Sequence, residues 1–170
     1  AGLRCKTRRK FKAPKTSGPA QTVAPNQLNR EFTVQAPDKV YVGDITYLPT
    51  GEGWLYLAVV LDLCSRAVVG WSMANHMRAE LVTQALSMAI GQRQPAAGLI
   101  MHTDRGSQYG AESYRQLLTQ HGMQPSMSRK GNCWDNAVAE SFFHTLKTEL
   151  IYLEDFDTHE QAQTVVFEYI

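Results

Sequence analysis

Two long runs, KVYVGDITYLP over residues 39–49 and WLYLAVVLDLCS over residues 54–65, are dense in β-branched and aromatic residues and are separated only by TGEG, a turn signal. Together they predict an antiparallel hairpin. AVVGWSMA, residues 67–74, follows directly after Ser65 and Arg66 and predicts a third strand, so the first ordered stretch reads as an antiparallel meander.

The pattern then changes period. RAELVTQALSMAIGQR, residues 78–93, sets Leu81, Ala85 and Met88 on one stripe with Ala89 beside them, an amphipathic helix stopped before Pro95. GLIMHTD over 98–104 is a β-rich run, AESYRQLLTQHG over 111–122 a helix with Gly122 as its C-cap, and PSMS over 125–128 a short strand. After RKGNC, one long helix is expected through WDNAVAESFFHTLKTELI, residues 134–151, and a last one from about Thr158. Three antiparallel strands, two further strands and helices between them predict an α/β fold, a mixed sheet with helices on its faces, compatible with an RNase-H-like domain.

A chain of 170 residues with 44% hydrophobic composition can bury one good core and is too short for two ordinary ones. Residues 1–37 lack periodicity and read as a basic, extended arm; residues 38–170 read as the globular part. The net charge of +1 conceals an asymmetry. Residues 1–30 carry eight basic side chains and no acidic one, while the remaining nine Lys and Arg face all sixteen acids. A basic arm on an acidic body points to contact with a polyanion, although the arm alone reads slightly better as a disordered, solvated linker. No run approaches the ~20 apolar residues of a membrane span and no secretory signal is visible, so a cytoplasmic protein without a membrane partner is expected. Cys5, Cys64 and Cys133 are far apart and lack CxxC spacing, which argues against a disulfide framework.

Three carboxylates sit where the local pattern gives them little reason to be. Asp44 lies inside the first strand, on the face of Val42 and Thr46 and opposite Tyr41, Ile45 and Tyr47. Asp104 ends the fourth strand just before Gly106, which frees the backbone to turn tightly. Glu140 falls mid-helix on a stripe with Asn136, His144 and Lys147, with Val138, Phe142, Leu146 and Leu150 lying away from it. Taken singly, each has an ordinary explanation: a hydrogen bond at a sheet edge, an Asx-turn, a solvated helix face. If the helix packs on the sheet, the three can meet, and three carboxylates so assembled need cations; hard oxygen donors without a cysteine pair favour Mg²⁺ or Mn²⁺. Two such ions about 3.5–4 Å apart support in-line phosphoryl transfer. Asp62 competes as a fourth carboxylate but reads as structural, and a zinc site using His102 and His144 rests on weak patterns.

These residues also resemble a family. Between Asp104 and Glu140 lie 35 residues, and Lys147 follows Glu140 by seven, the D,D-35-E spacing with a trailing basic residue. GDITYL, LYLAVVLDLCSR, HTDRGSQY and SRKGNCWDNAVAESFFHTLKTEL are similar to the catalytic core of bacterial insertion-sequence transposases of the retroviral-integrase-like class, over roughly residues 38–155. Tyr41 stands where such transposases usually carry Trp. The resemblance implies an RNase-H-like fold with Asp44, Asp104 and Glu140 as the metal-binding triad, where two ions are expected. It implies cleavage at the ends of a mobile element, attack of the freed 3′-hydroxyl on another phosphodiester, and at least a dimer working on DNA. Lys147 would contact phosphate near the scissile bond, Arg129 and Lys130 would line the DNA path, and Asn136 and His144 would lie beside them on the same stripe. Similar proteins carry a helix-turn-helix region before this core and a basic tail after it, so the chain reads as a fragment of a longer transposase. Two alternatives stay open: a nuclease of the same fold that never transfers strands, and a non-catalytic DNA-binding module using Arg8, Arg9 and Lys10 for salt-sensitive phosphate contacts.

Overall fold

The computed structural model describes residues 23–131 and 133–170. Arg8, Arg9 and Lys10 lie outside them. The meander forms as expected: β1 (Val40–Thr50), β2 (Gly53–Asp62) and β3 (Val68–Ala74) are antiparallel neighbours. β4 (Ile100–Thr103) and β5 (Gln124–Met127) extend the sheet in parallel on the other side of β1, giving the order β3-β2-β1-β4-β5.

Both faces of this sheet are covered, which explains why β2 reads as an almost continuous apolar run rather than an alternating one. On one face Tyr41, Ala58, Val60, Val69 and Met101 pack beneath α1 (Ala79–Arg93) and α2 (Glu112–Gln120). On the other, Val42, Leu48, Leu55, Leu57, Val59 and Leu61 pack beneath α3 (Ala137–Leu146) and α4 (His159–Tyr169). Alternation along β1 therefore sends Val42, and with it Asp44, toward α3.

Close approach of α1 to the sheet depends on Gly70: a Cβ there would meet the Ala85 carbonyl oxygen at 2.2 Å. α2 ends in a Schellman motif. Gly122, at φ +62°, donates to the Thr119 carbonyl, and Met123 donates to Leu118, so Gly122 stands one residue past the cap. Tyr41 is fully buried and its hydroxyl donates to Asp38 at 2.5 Å, where Arg93 from the end of α1 also donates, at 3.0 Å.

The long helix expected over residues 134–151 is not continuous. It consists of a 3₁₀ turn, Cys133–Asn136, then α3, then a π turn, Lys147–Ile151. Asp135, fully buried, spends its carboxylate on partners outside the helix, and Asn136 takes φ −119° and ψ 23°, which interrupts helical geometry. Glu140 is consequently in the first turn of α3 rather than mid-helix, and the fully buried stripe is Ala139, Phe143 and Leu146, with Val138, Phe142 and Leu150 partly buried beside it.

Residues 23–37 form neither helix nor strand, yet they are laid against the body. Leu28 is buried, and the Gln27 backbone N–H donates to Ser126 Oγ at 2.9 Å. Among the described residues no helix is long and apolar enough to cross a membrane.

Candidate active site

The parallel pairing of β1 and β4 runs from Val40 opposite Ile100 to Gly43 opposite Thr103. Asp44 and Asp104 are the next residues on each strand. The loop ends of parallel strands are where open α/β sheets present functional groups. α3 crosses the same end, and Asp44, Asp104 and Glu140 together line one open cleft of about 570 Å³ with Ser128 and Asn136. Arg105, Arg129 and Lys130 supply positive charge to the same cleft.

Each carboxylate is held differently. Asp44 is half-buried and accepts from the Ile45 backbone N–H at 2.8 Å. Burial raises its pKa from the ordinary 3.8 to about 7, and the charges of Asp104 and Glu140 push the same way against the lowering effect of the Ile45 and Asn136 hydrogen bonds. Asp104 Oδ1 accepts from the Gly106 N–H at 2.8 Å, so the Asx-turn foreseen for it is present while the carboxylate still faces the cleft. Glu140 is exposed. Asn136, by contrast, is buried: its amide donates to the Gly43 carbonyl at 3.5 Å, and its Oδ1 has no hydrogen-bond partner. An orphaned oxygen and three carboxylates in one cleft are a hard-oxygen donor set that fits a divalent cation. Among the described residues no three acidic, His or Cys side chains already form a closed ligand cluster; the donors line an open cleft instead.

The other expected residues distribute unevenly. Arg129 lines the cleft, but its guanidinium is tied to Asp135 through Nε at 2.9 Å and Nη2 at 2.7 Å; Lys130 is exposed. Lys147 lies further along, its ammonium 5.1 Å from the centre of the Tyr47 ring, which also makes an edge contact with Trp54. His144 is exposed on α3, outside the cleft lining. His102 is fully buried, and its two ring nitrogens meet Ser126 Oγ at 2.9 Å and Ser128 Oγ at 3.2 Å, a strand-to-strand tie. Asp62 is also structural: it accepts from the Asp38 N–H, the Ser65 N–H and the Ser65 hydroxyl and so closes the turn between β2 and β3.

Reasoning from sequence missed three features. Arg105 donates to the Ser128 carbonyl at 2.7 Å and bridges the two loops of the cleft. Tyr109, buried under both aspartates' electrostatic influence, has a hydroxyl without a partner. Asp135 organises the turn before α3. All three lie inside segments that carry the resemblance, Arg105 and Tyr109 in HTDRGSQY and Asp135 in SRKGNCWDNAVAESFFHTLKTEL, which is the signal that could have found them.

A mixed five-stranded sheet, with antiparallel β3-β2-β1 continued by parallel β4 and β5 and with carboxylates gathered at the β1/β4 end, is the RNase-H-like architecture of retroviral integrase cores. Comparison with solved structures places it there: a chain of the simian T-cell lymphotropic virus intasome in complex with PP2A regulatory subunit B56 gamma superposes with a TM-score of 0.63 at 18% identity, covering 77% of this chain and 45% of that one. The HTLV-2 integrase catalytic core domain, solved in complex with magnesium, superposes with a TM-score of 0.54 at 20% identity, covering 67% of this chain and 70% of that one. The chain belongs to the integrase core domain family, which matches residues 34–133, with a second integrase core match over residues 121–170. Among curated relatives it is 48% identical over 169 residues to the transposase InsF of insertion sequence IS3A from Escherichia coli, and 49% identical over 168 residues to an IS600 protein of Shigella sonnei. The chain spans 59% and 62% of the lengths of these two relatives.

Proposed function

We propose that this chain is the catalytic core of an insertion-sequence transposase that cleaves DNA at the ends of its element and joins the freed 3′-hydroxyl to a second phosphodiester. The observation that carries the reading is the convergence of Asp44, Asp104 and Glu140 on one cleft, from two adjacent parallel strands and the first turn of α3. In this reading the three carboxylates hold Mg²⁺ or Mn²⁺, two ions in all; that the HTLV-2 core was solved in complex with magnesium supports the choice of metal. Ions held there would supply activation of the attacking hydroxyl and stabilisation of the leaving oxygen.

The chain's own residues do the rest. Asp44, inside β1, and Asp104, just past the end of β4, present their carboxylates from neighbouring positions of the sheet, and Asn136 fixes the first of them by donating toward it. Arg105, Arg129 and Lys130 give the rim the charge that a phosphodiester backbone needs, and Lys147, in the turn after α3, would add a further phosphate contact. Arg8, Arg9 and Lys10 would add salt-sensitive phosphate contacts. The active assembly is at least a dimer on DNA, because joining two element ends takes two sites.

The test is incubation of the protein with a labelled duplex of the element end in Mg²⁺, Mn²⁺ or EDTA, beside Asp104→Asn. Metal-dependent nicking lost in the variant is the expected result, and joined products select transposase over nuclease. Binding of the duplex with cleavage equal in EDTA and Mg²⁺ would overturn the metal reading.

A further inference from the structure

We infer that Asp135 is a positioning residue for the cleft, through which the segment before the core, residues 26–30, sets the place of Asn136 and Glu140. The inference rests on the proposed metal-carboxylate reading only in its functional consequence.

Asp135 is fully buried and collects donors from two directions. From the loop before α3 come the Arg129 backbone N–H at 2.9 Å, Nε at 2.9 Å and Nη2 at 2.7 Å. From the N-terminal segment come Asn26 Nδ2 at 3.0 Å and Arg30 Nε at 2.9 Å, across more than a hundred residues of sequence. These hydrogen bonds, led by those of Arg129, hold the carboxyl well below the usual range, as expected for a charged acceptor with several donors. The next residue is Asn136, whose amide reaches Gly43 and Asp44, and Glu140 follows one helical turn later. A shift of Asp135 therefore moves the start of α3 and both cleft residues with it.

The N-terminal segment is shaped to make this contact. Asn29 and Arg30 both take left-handed φ, +46° and +65°, in a turn closed by the Glu31 N–H donating to the Leu28 carbonyl at 2.8 Å. Two consecutive non-glycine residues in that region are costly and persist only when their surroundings hold them. What holds them is Leu28 in the core, Gln27 on Ser126 and Pro125, and Asn26 accepting from the Asn29 N–H. The turn thereby aims Arg30 at Asp135. Residues 26–30 are thus coupled mechanically to the cleft, since a displacement of this segment acts on the residue that anchors α3.

The experiment compares the full chain with Asn26→Ala/Arg30→Ala, which leaves the Arg129 contacts to Asp135 intact. Trp134, exposed and adjacent to Asp135, is read by fluorine NMR of protein labelled with 5-fluorotryptophan, its line assigned among the three tryptophans with Trp134→Phe. Mn²⁺ affinity is measured by calorimetry on the same samples. The expected result is a shifted or broadened Trp134 line and Mn²⁺ binding weaker by about tenfold, the effect of losing a group that orients a ligand. A lowered melting temperature with the Trp134 line and Mn²⁺ affinity both unchanged would reduce the contact to simple stabilisation and overturn the inference. A wild-type chain that takes up no Mn²⁺ would sink the metal reading, while the Trp134 line of metal-free protein still decides whether the segment positions the turn.

Discussion

Asp44 and Asp104 each stand one residue beyond the Gly43–Thr103 pair, the last rung of the parallel β1–β4 ladder. Neighbouring strands are about 4.8 Å apart, so two carboxylates in matching register are forced into each other's field by the backbone itself. Burial under α3 raises the pKa of Asp44, and the charges of Asp104 and Glu140 add to that rise.

That rise makes stability depend on pH. The folded pKa of Asp44, about 7, lies above its ordinary value of 3.8, so the folded state binds the proton more tightly than the unfolded chain. This contribution to stability is fully present below about pH 4 and is lost as pH rises to about 7. Melting in EDTA should show wild-type stability falling across that interval relative to Asp44→Asn, and Mg²⁺ at pH 7 should restore part of it only in wild type. Parallel curves for the two proteins would refute the assignment.

Asp135 works with the opposite sign. Its pKa is depressed in the folded state, so its contribution is present above the unfolded value and is lost as pH falls toward the folded one. Asp135→Asn should cost about 2 kcal/mol at pH 7, the scale of a hydrogen bond to a charged group, and the difference from wild type should shrink in acid. Urea denaturation at pH 7 and pH 3 measures both.

Removing a cleft carboxylate should separate chemistry from binding. Glu140→Gln and Asp104→Asn are expected to lower cleavage more than about 100-fold while leaving duplex affinity at or above the wild-type value, since each deletes a negative charge beside the phosphate path. Gel shift beside a nicking assay checks this; an equal fall in both would point to a folding defect.

Lys147 is held over the Tyr47 ring, in the turn just beyond the helix that carries Glu140, and is the proposed phosphate contact there. Lys147→Ala should change stability by less than about 1 kcal/mol, as an exposed cation–π contact would, yet weaken DNA binding and reduce the slope of log affinity against log salt by about 0.9. Binding titrations at several salt concentrations give the slope directly.

Gly70 is the least tolerant backbone position on the opposite face. Gly70→Ala places a Cβ 2.2 Å from the Ala85 carbonyl oxygen and 2.8 Å from the Ala89 methyl, so α1 must lift away from β3. The expected loss is about 1–3 kcal/mol in chemical denaturation, with cleavage by the surviving folded protein unchanged, because the cleft is on the other side of the sheet.

Much of this molecule was determined by sequence alone. The β-branched runs and TGEG specify the hairpin, the alternation around Asp44 specifies its face, and Gly122 specifies where α2 stops, because strand period, turn chemistry and helix capping are local. The motif segments and their spacing also name the carboxylates. Tertiary structure alone decided the rest. The break at Asn136 follows from Asp135 being claimed by Arg129 and Arg30, and the docking of residues 26–30 follows from Leu28 finding space in the core; neither has a local signature. Arg129 shows why: its charge is visible in sequence, but that its guanidinium turns to the carboxylate of Asp135, six residues on, is settled only when the turn before α3 is folded and buried.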